Sequence, residues 1–151
     1  MKHILALTVL LLAAAQPAGV PGYNHWSAAD IQKIGAKLDA AAAPNKSAGQ
    51  DLAKWGNHWA TLSKRVGDGE GEVHEKVNDF FIAEGGEATL IVGGKLVEPR
   101  NTGPGEIRSK GIQGGTRTVL KPGAVVHIPK NTPHQLLVPK EFLYFIIKVQ
   151  E

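Results

Sequence analysis

The stretch EVHEKVNDFFIAEGGEATLIVGG, residues 72–94, places five ionisable side chains directly before an apolar segment interrupted by glycines. Side chains of a β-strand alternate between its two faces, so Glu72, His74 and Lys76 are predicted to share one face. Asp79 follows a predicted turn and begins the next strand. The pattern has two interpretations: a solvated polar face, or a set of charged groups that converges on one point inside a sheet.

Short apolar runs separated by Gly, Pro and Asn continue from His58 towards the end of the sequence. Many short strands with such punctuation are typical of an all-β sandwich or barrel. The Gly- and Pro-containing segment 99–116 is predicted to be a long loop between the sheet halves. Long ordered loops in small domains often border a binding site, so this segment is expected near one.

The N-terminus has a pattern of its own. Residues 1–15 combine Lys2 and His3 with an apolar run and small residues at positions 13 and 15, which is typical of a secretory signal peptide. We therefore expect a secreted or periplasmic protein that does not associate with the membrane once the signal is removed.

The predicted domain organisation follows from the change in periodicity. Residues 16–56 are predicted to form a lead-in and a helix near 28–42, because Ser27 is a good N-cap and apolar residues recur at helical spacing. Pro44 is predicted to end this helix. Residues 57–151 are predicted to form the barrel domain.

The composition restricts the class of partner and the kind of metal site. The 17 Lys and Arg residues against 14 Asp and Glu give a formal net charge of +3, but the basic residues are scattered and form no stripe with aromatic residues. Nucleic acid is therefore not an expected partner. The sequence has no cysteine, which excludes disulfides and thiolate metal ligands. Any metal must be bound by nitrogen and oxygen.

A second histidine cluster lies in PGAVVHIPKNTPHQLLV, residues 122–138. His127 and His134 flank a predicted turn near Lys130 and Asn131, and in a symmetric hairpin they would lie opposite each other. His127, inside AVVHIP, is more typical of an ordinary strand histidine than of a ligand, and His134 after NTP is by itself compatible with a turn residue.

These two stretches resemble the two motifs of the cupin superfamily. The first family motif reads H-x-H, three or four residues, E, six residues, G. Aligning His74 with its second histidine leaves four residues before Asp79 and six more before Gly86. Glu72 then replaces the first histidine, and Asp79 replaces the glutamate. A rival alignment of His74 and Lys76 with the two histidines brings Asp79 one residue too early.

The second family motif reads G, five residues, P-x-G, two residues, H. Gly123, Pro129 and His134 match it in register, and Asn131 replaces its second glycine. The resemblance covers roughly residues 58–149. It implies a small single-domain conserved-barrel cupin: an all-β fold of the double-stranded β-helix (jelly-roll barrel) type, here with an N-terminal helix.

The resemblance also implies a site inside the barrel. Its ligands for a divalent ion (Fe, Mn, Zn or Ni) would be Glu72, His74, Asp79 and His134. Glu72 is alternatively a candidate catalytic base, and Lys76 is a candidate for fixing an anionic substrate group. The expected partner is a small polar molecule, and assembly as a homodimer stays open.

Cupins include oxygenases, isomerases, lyases and binders, and the sequence does not choose among them. The alternatives to a metal-dependent protein are a non-catalytic small-molecule-binding cupin without metal and a structural protein that presents the 99–116 segment.

Overall fold

The computed structural model describes residues 19–151 and contains one helix and thirteen strands. The predicted signal peptide lies outside these residues. The elements are α1 Ala28–Asn45, β1 Ser47–Trp55, β2 His58–Arg65, β3 Gly71–His74, β4 Val77–Gly86, β5 Ala88–Val92, β6 Lys95–Val97, β7 Arg100–Gly103, β8 Glu106–Ser109, β9 Gly111–Gln113, β10 Thr116–Leu120, β11 Val125–Ile128, β12 His134–Leu137 and β13 Phe142–Gln150.

The strands form two main antiparallel sheets. The five-stranded sheet has the order β1-β2-β13-β4-β11, the six-stranded sheet has the order β10-β5-β12-β3-β8-β7, and β6 and β9 form a small separate pair. Apolar side chains from both sheets meet in one core, which includes Phe81, Leu90, Leu136, Phe142 and Tyr144. Two sheets closed around one core by non-sequential strand pairing form the predicted all-β jelly-roll barrel.

Helix α1 begins at the predicted cap. The Ser27 hydroxyl accepts a hydrogen bond from the Asp30 backbone N–H, and the Asp30 carboxylate accepts one from the Ser27 backbone N–H, which completes a capping box. The helix continues one residue past Pro44 and stops at Lys46, which has a left-handed φ of 62°. The prolyl ring is therefore accommodated in the last turn.

The helix packs on the outside of the five-stranded sheet, against β1 and β2. Leu38 and Ala42 are buried there. Lys64 of β2 is also buried, and its Nζ lies 2.8 Å from Asp39 of the helix and 2.7 Å from Glu141. Within residues 19–151, no helix is both long and apolar enough to cross a membrane.

Two sequence predictions about strands need correction. The sheet begins at Ser47 and not near residue 57, because β1 pairs with β2 across the turn at Gly56. The segment 99–116 is not a long loop: it contains β7, β8 and β9 and the start of β10. Its glycines serve short turns, as at Gly105, Gly114 and Gly115, which all have positive φ.

The two histidines of the second cluster are not hairpin partners. β11, which carries His127, pairs with β4, whereas β12, which carries His134, pairs with β5 and β3 in the other sheet. His127 is exposed and stacks on Phe80, with ring centroids 4.5 Å apart. It therefore has the ordinary strand role predicted for it.

Candidate metal centre

Strand pairing brings Glu72, His74 and His134 together. Glu72 and His74 lie on one face of β3, as alternation predicts, and His134 is the direct cross-strand partner of Glu72. One potential ligand atom of each residue lies within 4.8 Å of those of the other two. Both histidines are buried, and the ring centroids are 5.4 Å apart.

The hydrogen bonds of the two imidazoles define which nitrogen carries the proton. His134 Nδ1 lies 2.9 Å from the carbonyl oxygen of Thr132, and a carbonyl can only accept, so Nδ1 donates. His74 Nδ1 lies 2.8 Å from the Glu106 carboxylate and donates to it. In the neutral rings, both Nε2 atoms therefore carry a lone pair and face the cluster. This arrangement, in which the far nitrogen is held by an acceptor, is typical of metal-binding histidines.

The Nε2 atom of His134 is buried and has no hydrogen-bond partner within the described part of the chain. It lies 3.6 Å from Glu72 Oε1 and 3.6 Å from Asp79 Oδ2. A buried polar atom without a partner is costly, and native proteins rarely leave one unless a ligand, ion or water satisfies it. This atom is the strongest structural indication that the cluster binds something.

Asp79 joins the cluster but is already paired. It is 2 % exposed, and Lys148 Nζ donates to its Oδ1 at 2.7 Å and its Oδ2 at 3.0 Å. The same Nζ lies 2.9 Å from His74 Nε2, where it is a donor to the ring lone pair. An ammonium group therefore lies between two of the four predicted metal ligands.

The charges in the cluster shift the pKa values of its members. Burial raises the pKa of Asp79, but the two imidazoles and Lys148 lower it by more, so that it is held well below its usual range. Lys148 makes the direct hydrogen bonds, whereas Nε2 of His74 and of His134 lie 3.4 and 3.6 Å from the carboxylate. Burial and, to a smaller extent, Lys148 lower the pKa of His74. Asp79 and Glu72 raise it by more, so the pKa lies above its usual value.

Strand β8 supplies the residues that support the cluster. Glu106 is the cross-strand partner of His74, and Arg108 is the partner of Glu72. Arg108 lies 3.1 Å from the Glu72 carboxylate and 3.3 Å from that of Glu106. A single guanidinium thus positions both the candidate ligand Glu72 and the carboxylate that orients His74.

The structure places Lys76 outside the cluster. β3 ends at His74, and the chain bends at the next two residues, so the strand alternation that predicted an inward Lys76 does not continue. Lys76 is exposed. The lysine that enters the site is Lys148 on β13, which neither family motif includes.

The turn before His134 shows how the second motif works with its substitution. Asn131 has φ of 62°, the left-handed region that favours glycine and that asparagine tolerates better than most residues. Its backbone N–H donates to the carbonyl oxygen of His74 at 2.8 Å. Asparagine can therefore replace the family glycine and still fix the turn beside the site.

Comparison with solved structures supports the fold. The chain is similar to KdgF from Halomonas sp., with 14% identity, a TM-score of 0.53, and coverage of 71% of this chain and 82% of that one. It is also similar to a cupin superfamily protein from Desulfitobacterium hafniense, with 14% identity, a TM-score of 0.51, and coverage of 71% and 80%. Neither a protein-family model nor a curated protein matches the sequence.

The chain has the fold of a small single-domain cupin, an all-β jelly-roll barrel with an N-terminal helix. The fold that the two motifs implied is confirmed.

Proposed function

We propose that this protein is an exported cupin that binds a divalent metal ion and acts on, or senses, a small polar molecule at the metal. The observation that carries the proposal is the buried Nε2 atom of His134, which has a lone pair and no partner within residues 19–151. The signal-like pattern of residues 1–15 supports export.

The donor set fits a first-row divalent ion. His74, His134 and Glu72 offer two imidazole nitrogens and one carboxylate oxygen, a combination suited to Fe, Mn, Ni or Zn. Three protein ligands leave coordination positions for water or for a ligand. Asp79 could add a second carboxylate once Lys148 leaves it. The lysine side chain is 21% exposed, so its end has a route towards solvent.

The bound metal would act as a Lewis acid towards an oxygen of the small molecule. The surrounding residues would hold its ligands in the orientation that metal binding requires. Glu106 and the Thr132 carbonyl hold the two imidazoles in the tautomer that presents Nε2. Arg108 holds Glu72 in place, and Glu72, if it is not a ligand, can accept a proton as a base.

One observation favours a second candidate function, a small-molecule-binding cupin without metal. Lys148 already supplies a positive charge between His74 and Asp79, at 2.9 and 2.7 Å. An internal ammonium can satisfy these two residues permanently. In that case the free His134 Nε2 would accept a hydrogen bond from the bound molecule.

The experiment compares metal binding by His134→Ala with that by His127→Ala. The purified protein is analysed for metal content, and melting temperatures are measured with and without Mn, Fe, Ni or Zn. We expect His134→Ala to lose both bound metal and the metal-dependent rise in melting temperature, because a ligand stabilises the fold by mass action. His127→Ala removes an exposed imidazole from the other sheet and should keep both.

Two outcomes would contradict the metal proposal. The purified protein would contain no metal, and its melting temperature would be the same with each of the four ions. Both together would favour the metal-free binding function.

A further inference from the structure

A polar cleft of about 350 Å³ adjoins the candidate metal centre. Glu72 and Arg108 are among its lining residues, so the cleft and the metal centre share Glu72. Arg65 at the end of β2 and the start of β1 also line it. This volume is large enough for a molecule of several carbon atoms that reaches Glu72 at one end.

Arg65 is the distinctive residue of the cleft. Its Nε donates to the hydroxyl of the buried Tyr144 at 3.3 Å, which fixes the guanidinium against the barrel core. Burial raises the pKa of Tyr144 by more than Arg65 lowers it, so this partner stays neutral and does not cancel the charge. No ion pair among residues 19–151 includes Arg65.

The other arginines near the cleft are already neutralised. Arg108 binds Glu72 and Glu106, and Arg100 places Nη2 2.8 Å from the Glu70 carboxylate. Arg65 is therefore a positioned, half-buried cation whose terminal nitrogens have no carboxylate partner in the described chain. A guanidinium held in this way is suited to bind a carboxylate with two parallel hydrogen bonds.

The balance of charge in the cleft restricts the charge of the ligand. Its carboxylates, from Asp68, Glu70 and Glu72, equal in number its cations, from Arg65, Arg108 and the exposed Lys46. The cleft therefore has no excess of positive charge to balance a multiply charged anion. The side chains of Asn45 and Ser47, together with these carboxylates, offer hydrogen-bonding groups for hydroxyls. A ligand with one carboxylate and several hydroxyl groups matches this set better than a phosphate does.

We propose that the cleft binds a hydroxylated monocarboxylate, with its carboxylate on Arg65 and its hydroxylated chain directed towards Glu72. This inference deepens the proposed function by naming the class of the small polar molecule, and it rests on that proposal only for the statement that the far end of the molecule meets a metal. The binding of the carboxylate itself depends on Arg65 and not on metal.

The test is calorimetric titration of metal-stripped protein with D-gluconate and with D-sorbitol, which differ in the carboxylate. We expect gluconate to bind and sorbitol to bind at least about tenfold more weakly, since a charge-assisted pair is lost. Arg65→Gln should weaken gluconate binding by about tenfold or more. Arg117→Gln, which removes an exposed arginine on β10, should not change it.

Arg65→Lys keeps the positive charge but removes the planar guanidinium that can make two parallel hydrogen bonds to a carboxylate. It should bind gluconate more weakly than the parent protein and more tightly than Arg65→Gln. If Arg65→Gln does not fold, as judged from its melting curve, the comparison of Arg65→Lys with the parent decides the question.

Equal binding of gluconate and sorbitol, or unchanged gluconate affinity in the Arg65 variants, would overturn the assignment. Tighter binding of inorganic phosphate than of gluconate would overturn the carboxylate class. Metal content is measured on each protein as purified, before stripping, and metal uptake is measured by titrating the stripped protein with Mn, Fe, Ni or Zn. Arg65-dependent gluconate binding by a protein that takes up no metal would retain the subsite and reject the metal proposal. Metal uptake without Arg65-dependent gluconate binding would reject the subsite and retain the metal proposal.

Discussion

Lys148 and Asp79 lie directly opposite each other on the neighbouring strands β13 and β4, and Lys148 donates to both oxygens of the Asp79 carboxylate at 2.7 and 3.0 Å. The pair places a positive charge inside the cluster of candidate metal ligands. A divalent ion and this ammonium cannot occupy the cluster together without strong repulsion. Metal binding therefore requires that the lysine side chain leave Asp79 and His74.

Replacing Lys148 with methionine should increase metal affinity. Removing the competing charge should lower the dissociation constant for Mn, Ni or Zn at least about tenfold, which corresponds to about 1.4 kcal/mol of binding free energy. The same change leaves Asp79 buried without its partner, so the metal-free variant should be less stable by about 3 kcal/mol. Calorimetric metal titration and urea unfolding measure the two effects.

Lys140→Met is the matched control, since Lys140 is exposed and takes part in no ion pair of the described chain. It should change neither quantity. Unaltered metal affinity in Lys148→Met would show that the ammonium does not compete with the ion.

Asp79→Asn should change how the metal-free protein responds to acid. The pKa of Asp79 is depressed in the folded state, so its carboxylate stabilises the fold above its unfolded pKa of about 3.8. This contribution is fully present at pH 7. It begins to decrease as the pH approaches the unfolded pKa and continues to decrease until the pH reaches the much lower folded pKa. The variant should be less stable than the parent by about 3 kcal/mol at pH 7, and the difference should shrink towards pH 3.

Urea unfolding of both proteins in chelator-treated buffer at several pH values gives the comparison. A stability difference that stays constant down to pH 3 would mean that Asp79 does not titrate as its pairing requires.

Gly86→Ala should destabilise the fold. Gly86 ends β4 with φ of 71°, and a Cβ at this position would overlap the carbonyl oxygen of Glu141. The expected loss is about 2 kcal/mol or more, from the left-handed backbone and the steric overlap together. The neighbouring Gly85→Ala is the control: its added Cβ would come no closer than 3.6 Å to Leu143, so a loss within about 0.5 kcal/mol is expected. Similar melting temperatures for the two variants would contradict this account.

Substitutions at Asn131 test the turn that precedes His134. Asn131→Gly should be neutral or slightly stabilising, because glycine adopts a φ of 62° without strain. Asn131→Ala should lower the free energy of unfolding by about 1 kcal/mol, because alanine adopts this left-handed conformation less readily. Thermal unfolding of the two variants measures the difference, and an alanine variant as stable as the glycine variant would show that the turn relaxes.

Motif spacing and strand alternation were sufficient to predict the fold class and the four residues that the structure brings together in the candidate cluster, Glu72, His74, Asp79 and His134. Glu72 and His74 share a face because they are two residues apart in a strand, and that periodicity is readable in any strand sequence. His134 follows from the spacing to Gly123 and Pro129. Alternation failed at Lys76 because β3 is short, and a bend does not preserve the side-chain period.

The residues that were missed reach the site from strands far away in the sequence. Lys148 contacts Asp79 across 69 positions, and Glu106 contacts His74 across 32. Glu106 and Arg108 lay in a segment rich in Gly and Pro that was predicted to be a loop. A signal for Lys148 was present: it is the one charged residue in the otherwise apolar run FLYFIIKV. Such a residue requires a partner when its strand is central in a sheet.

β13 lies between β2 and β4 and pairs with both along its length. It also carries Tyr144, which holds Arg65, and Lys148, which pairs with Asp79. The two strands that β13 joins are distant from it in the sequence, and non-local pairing slows folding, so we expect the insertion of β13 to be a late step. Before that step, β2 and β4 have unpaired edges, which are open to pairing with other chains. Neither the arginine subsite nor the paired carboxylate exists in such an intermediate, so ligand binding can report directly on completion of the barrel.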